Sequence, residues 1–186
     1  MQGSALALMW RRIDVPGHEV ARFETSRSAY RIQGYAAYRE EGRKVGLSYS
    51  VSLHPDWTTA EAHIAGHANG DTFEYWITRT KSSWFLNDQP QPAVAGIPHL
   101  DLGFTPATNM GQLRHAGLAV GEACTFDVAW FDVGRAELER LPQNYRRTGE
   151  LEYAYDSPQG GYSANLLVGR DGFSTVYPGL WERVVE

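Results

Sequence analysis

The chain has 186 residues, 42% of them hydrophobic and 21% charged, which is long enough to enclose one sizeable core and unlike a disordered or membrane-embedded chain. Its 17 basic and 22 acidic residues give a net charge of −5, and no run of like charges offers the basic surface that tracks nucleic-acid phosphates. The lone cysteine, Cys124, excludes an internal disulfide, and no stretch reaches the roughly 18 apolar residues that span a bilayer.

The first ten residues lack a basic leader followed by a long apolar stretch, so a cytoplasmic protein is expected. Six Trp, ten Tyr and seven Phe alongside 19 Gly suit twisted strands and tight turns better than helices. The segments 29–38 and 45–53 read as a hairpin across Glu40, Glu41 and Gly42, because Gly42 readily adopts positive φ. In the second strand large and small residues alternate for nine positions, which places Val45, Leu47, Tyr49, Val51 and Leu53 on one face and Gly46, Ser48, Ser50 and Ser52 on the other. Segments 60–68 and 72–80 flank Asn69-Gly70, the dipeptide best suited to a two-residue type I′ turn.

Pro90, Pro92 and Pro98 bracket a loop near 90–98, the best place to divide a single domain, 1–186, into two similar β halves. Segment 122–132 alternates again, with Cys124, Phe126, Val128 and Trp130 set against Thr125, Asp127 and Ala129. Leu138 and Leu141 stand at helical spacing before Pro142, which predicts a short helix over 135–141. Segments 150–156 and 162–169 form a further pair, and 173–177 a final strand. The expectation is an all-β chain with little helix, whose single antiparallel sheet of about ten or more strands curls into a spiral roll or open barrel to limit exposed edges.

Few residues announce chemistry. His63 and His67 would share a metal only on a helix; four residues along a strand separate them by about 13 Å, so they read as solvated or hydrogen-bonded. Cys124 reads as a small buried hydrophobe. The run from Gly161 through Ser163 to Asn165 lacks the second glycine and the strand-turn-helix setting of a hydrolase elbow. No phosphate-binding glycine loop is present, and no cofactor is implied.

The stretch from His99 to Asn109, followed by Leu113-Arg114-His115, resembles the central motif of the Putative glycolipid-binding family, a bacterial family formerly classed as a domain of unknown function. Val128-Ala129-Trp130, Gln143-Asn144-Tyr145 and the run from Val176 to Arg183 follow in the order this family shows. The sequence departs from the family pattern at Ala107, at Met110-Gly111-Gln112 and at His115. The resemblance is firm from Leu100 onward and looser over Trp10, Gly17, Glu19 and the early hairpins. It implies a rolled antiparallel sheet similar to bacterial lipoprotein carriers, and a glycolipid or lipid-like amphiphile as ligand.

Asp101, Thr105, Thr108, Asn109 and Arg114 are then expected to present donors and acceptors to a sugar-like head group, with Trp130, Tyr145, Tyr177 and Trp181 supplying apolar faces. The competing reading of Thr105 to Asn109 is a rigid loop that staples the sheet. The chain reads as a binder before an enzyme. A hydrolase acting on the same ligand would need an acid with a raised pKa inside the pocket. A ligand-free protein-interaction sheet would show a filled core.

Overall fold

The computed structural model describes residues 5–184. Its fifteen strands are β1 (Ala5–Arg12), β2 (Gly17–Thr25), β3 (Tyr30–Glu40), β4 (Arg43–Leu53), β5 (Thr59–Ala68), β6 (Asp71–Thr80), β7 (Ser83–Leu86), β8 (Gln89–Pro90), β9 (Leu100–Leu102), β10 (Ala123–Phe131), β11 (Glu139–Arg147), β12 (Glu152–Ser157), β13 (Tyr162–Val168), β14 (Ser174–Tyr177) and β15 (Trp181–Arg183). One α-helix, α1 (Asn109–Ala116), follows β9.

All fifteen strands belong to one sheet, ordered β8-β7-β6-β5-β4-β3-β2-β1-β15-β14-β13-β12-β11-β10-β9. Every neighbouring pair is antiparallel except β9 and β10. Both halves are meanders, and they join where β1 pairs with β15, Trp10 opposite Arg183. The two outermost strands, β8 and β9, are separated by nine residues of chain, a reach of about 35 Å at most. Laid flat, fifteen strands would hold them about 67 Å apart. The sheet therefore has to curl until its ends meet.

They meet by overlap, without a closing ladder. The Thr59 N–H at the start of β5 donates to the Pro98 carbonyl at 2.9 Å, and the Leu100 N–H donates to Thr59 Oγ1 at 3.0 Å. Tyr75 on β6 packs edge-on against Phe131 on β10, with ring centroids 4.9 Å apart. The chain from Ile97 to Leu113 consequently runs through the interior, with Leu100, Asp101, Leu102, Phe104, Thr105 and Asn109 all buried.

The hairpins form as their turn residues require. Glu41 and Gly42, and Asn69 and Gly70, all have positive φ, the conformation of a type I′ turn. Val45, Leu47, Tyr49, Val51 and Leu53 are buried, which fixes the large-residue stripe of β4 as its inner face.

Two local expectations are corrected. Segment 135–141 is not helical: its last residues open β11, with Leu138 buried and Pro142 opposite Asp127. Two leucines three apart are too little to fix a period. Pro142 is tolerated because β12 begins pairing with β11 only at Asn144. The helix lies instead at Asn109–Ala116, in what read as loop, and Gly117 ends it in the left-handed region, its N–H donating to the Leu113 carbonyl at 3.1 Å. The even-numbered face of β10 is also less purely apolar-buried than expected, since Ala129 on the opposite face is buried and Trp130 is only half-buried. Overlap with β6 covers one face there, and a pocket opens on the other.

Candidate ligand-binding site

That pocket, about 340 Å³, opens where the interior segment meets the C-terminal meander. Its floor is polar: Asp101 comes from β9, Thr105 from the following turn and Asn109 from the first turn of α1. Its walls are Trp130, Tyr155, Tyr162, Tyr177 and Trp181, with Leu141 and Leu180 beside them. Tyr155, Tyr162 and Tyr177 lie within 5.5–5.9 Å of one another, and Trp181 lies 5.6 Å from Tyr177. Gly103 makes room for the Trp130 indole, whose edge would stand 2.9 Å from any Cβ at that position. At the rim Arg135 pairs with Glu139 at 2.5 Å and stacks over Trp130 at 5.0 Å.

The floor is held by a buried network. One Asp101 oxygen accepts from Thr108 Oγ1 at 3.0 Å and the other from Gln143 Nε2 at 2.7 Å. Thr108 Oγ1 in turn accepts the Leu102 N–H at 3.2 Å. Burial raises the Asp101 pKa, and these two donors only partly offset the rise. Asn109 Nδ2 donates to the Tyr145 hydroxyl at 3.2 Å. That hydroxyl has a single proton for Gln112 or Gln143, each 3.4 Å away.

Thr105 reaches the other way. Its hydroxyl donates to Glu19 Oε1 on β2 at 2.7 Å and accepts the Ala107 N–H at 3.0 Å. Tyr49 on β4 donates to the same Glu19 oxygen, while Glu19 Oε2 has no partner among the described residues. Burial pushes the Glu19 carboxyl up to about 7 against the pull of the two hydroxyls. The pocket floor is therefore tied through Thr105 to a second buried acid.

Six of the nine residues singled out from the sequence line this one pocket: Asp101, Thr105, Asn109, Trp130, Tyr177 and Trp181. Thr108 stands behind Asp101 as its donor. Tyr145 stands behind Asn109 and borders a neighbouring hollow with Cys124 and Ala164. Arg114 is elsewhere: it is exposed, donates to the Asp171 carbonyl at 2.9 Å and borders a separate hollow. Sequence reasoning missed Glu19, Tyr155 and Tyr162 and gave Gln143 no role. Glu19 shares an alternating strand face with Ala21 and Phe23, and beyond the loose resemblance around it this was its only local signal. His63 hydrogen-bonds Glu74 at 2.9 Å and stacks on Trp76. Among the described residues no group of three or more His, Cys, Asp or Glu is placed to hold a metal ion, and no helix is long and apolar enough to cross a membrane.

The family model described as Putative glycolipid-binding matches residues 7–183. A solved structure with the same fold is the crystal structure of a DUF1089 family protein from Pseudomonas aeruginosa. It matches with a TM-score of 0.77 at 23% identity, over 90% of this chain and 92% of that one. No curated protein matches the sequence.

Proposed function

Because this chain belongs to the Putative glycolipid-binding family, we propose that it binds an amphiphile by taking a sugar-like head group into the aromatic pocket above Asp101. The observation that carries this reading is the convergence of buried Asp101, Thr105 and Asn109 on the floor of a pocket walled by Trp130, Tyr155, Tyr162, Tyr177 and Trp181. Sugar hydroxyls need convergent donors and acceptors, and the C–H faces of a sugar ring pack on aromatic faces. At about 340 Å³ the pocket is near the lower end of the range of about 300–1,000 Å³ for ligand sites. That size suits a head group better than a whole lipid, with the apolar chain leaving along Leu141, Leu180 and Trp130. The reading needs no cofactor.

One observation favours a second reading, hydrolysis of the same ligand, since Asp101 is a buried acid of raised pKa inside the pocket. Binding comes first because both Asp101 oxygens are already engaged by Thr108 and Gln143, and Glu139, the other acid on the pocket, is held by Arg135 at the rim. Glycoside hydrolysis ordinarily uses two carboxyl groups facing the scissile bond.

The test is to incubate the protein with a total lipid extract, recover it by gel filtration and identify co-eluting molecules by native and denaturing mass spectrometry. A stoichiometric amphiphile, retained by the wild type and lost from Trp130→Ala and Asp101→Asn, is expected. Recovery of a cleaved product would bring the hydrolase forward. Nothing above background, or equal retention by both variants, would sink the pocket assignment.

A further inference from the structure

We infer that the hollow beyond the C-terminal end of α1 is a second binding site, one that takes a phosphate monoester carrying an apolar group. Arg114 from α1, Arg147 from the end of β11 and Arg170 from the β13–β14 turn border this space of about 250 Å³, with Glu150 as the sole acid on it. The excess of positive charge is local, because the chain as a whole carries −5.

The arginines are positioned and incompletely neutralised. Among the described residues neither Arg114 nor Arg147 takes part in an ion pair. Arg147 is half-buried and, among the described residues, donates only to carbonyls, those of Leu118 at 2.8 Å, Glu150 at 2.6 Å and Gly149 at 3.3 Å. A guanidinium has five N–H donors, so two remain for a ligand. Arg114 lies over Trp57 at 5.8 Å and donates to the Asp171 carbonyl. Gly172 permits this approach: with φ of +90°, it places no side chain where a Cβ would come within 2.7 Å of Arg114 Nε. Asp171, next to Arg170 in sequence, is drawn off by Arg183 at 2.6 Å. Arg170 pairs with Glu150 at 3.0 Å, but both side chains are highly exposed, and such a pair exchanges readily for a stronger anion.

Beneath the cations the hollow is apolar. Leu118, Tyr153 and Val168 are buried side chains on its wall, and Arg147 stacks over the Tyr153 ring at 5.8 Å. Fixed guanidinium groups favour a doubly charged oxyanion that accepts several hydrogen bonds at once. The apolar wall favours an ester over inorganic phosphate. The ester can be free or the head group of an anionic lipid, and both present the same chemistry.

Calorimetric titration with octyl phosphate tests the site. One molecule is expected to bind per chain, more tightly than inorganic phosphate, and to weaken as salt rises from about 0.05 M to about 0.5 M. Arg114→Gln is expected to lose about tenfold in affinity with an unchanged melting midpoint. Should that variant melt early, Arg170→Gln carries the test, with an expected loss of about threefold. Co-sedimentation with vesicles containing phosphatidic acid, but not with pure phosphatidylcholine vesicles, would identify a lipid source; octyl phosphate binding without vesicle binding would identify a free ester. Absent or non-saturable octyl phosphate binding, or affinity unchanged in a folded arginine variant, overturns the site. Octyl phosphate carries no sugar, so that failure would leave the aromatic-pocket reading to its own test.

Discussion

At the centre of the roll a carboxyl group has one oxygen bound to two hydroxyls and the other without a partner among the described residues. Glu19 is wholly buried, and its folded pKa of about 7 lies above its ordinary 4.5. Between those values the folded chain holds a proton that the unfolded chain releases, so stability falls as pH rises through this window. A shift of this size corresponds to a few kcal/mol, roughly 3. Glu19→Gln keeps an acceptor for Thr105 and removes the titration. Its melting midpoint is expected to match the wild type near pH 4.5 and to exceed it progressively up to about pH 8; equal profiles for the two proteins would show that Glu19 does not titrate there. His99 acts in the opposite sense, since burial lowers its pKa to about 4 and stability from this residue is lost as pH falls below about 6.5. The variant-minus-wild-type difference cancels that contribution. Asp101, Thr105 and Asn109 were readable from one contiguous motif. Glu19 was not, because its partners Tyr49 and Thr105 are 30 and 86 residues away.

Strand elements follow from period and turn chemistry, and Gly34 shows where packing between elements takes over. It stands opposite Tyr49 in the β3–β4 ladder, and a Cβ at that position would lie 2.4 Å from the Tyr49 ring. The bare backbone lets the ring lie across β3 so that its hydroxyl reaches Glu19 on β2. Gly34→Ala should therefore displace Tyr49 and cost about 1–3 kcal/mol by the usual scale of overpacking. Urea titration measures this cost, and in a Tyr49→Ala background the same substitution should cost clearly less, since the clash is gone. A period of two along β4 was visible because it is local. The helix at Asn109–Ala116 was hidden: Gly111 interrupts it, the Thr108 side chain at its N-cap bonds Asp101 and Leu102 and does not cap the helix, and its apolar pattern is weak. Tertiary contacts hold it instead, with Gly111 close to Leu53 and to the Trp57 carbonyl.

Over the whole molecule, each half of the sheet lacks something the other supplies. The outer strands β5 and β6 cover β9 and β10, and the Glu19–Thr105 contact crosses between halves. The seam is β1 against β15, where Trp10 is fully buried and donates to the Ser174 carbonyl at 2.7 Å. We propose that the chain unfolds as one cooperative domain. Tryptophan fluorescence and far-ultraviolet circular dichroism should give coincident urea transitions, and two separated transitions would show that the halves fold independently. Trp10→Ala removes a large buried side chain and a seam hydrogen bond, and is expected to lower the whole transition by about 3–5 kcal/mol. Loss confined to one of two transitions would argue against a shared core.

The sequence by itself determined the class of fold, the hairpins, which residues of β4 share a face and the run of residues that forms the pocket floor, while burial in the structure decided which face of β4 points inward. All of these depend on neighbours within a few positions: alternation sets a face, Asn-Gly sets a turn, and a proline-rich segment ends a meander. Tertiary structure alone decided that this run lies inside the roll, that Glu19 sits against it, that Tyr155 and Tyr162 complete the aromatic wall, and that Arg114 belongs to a different hollow. A strand pattern specifies which side chains share a face but carries no information on how far a sheet curls, and the curl brings residues from opposite ends of the chain into one site.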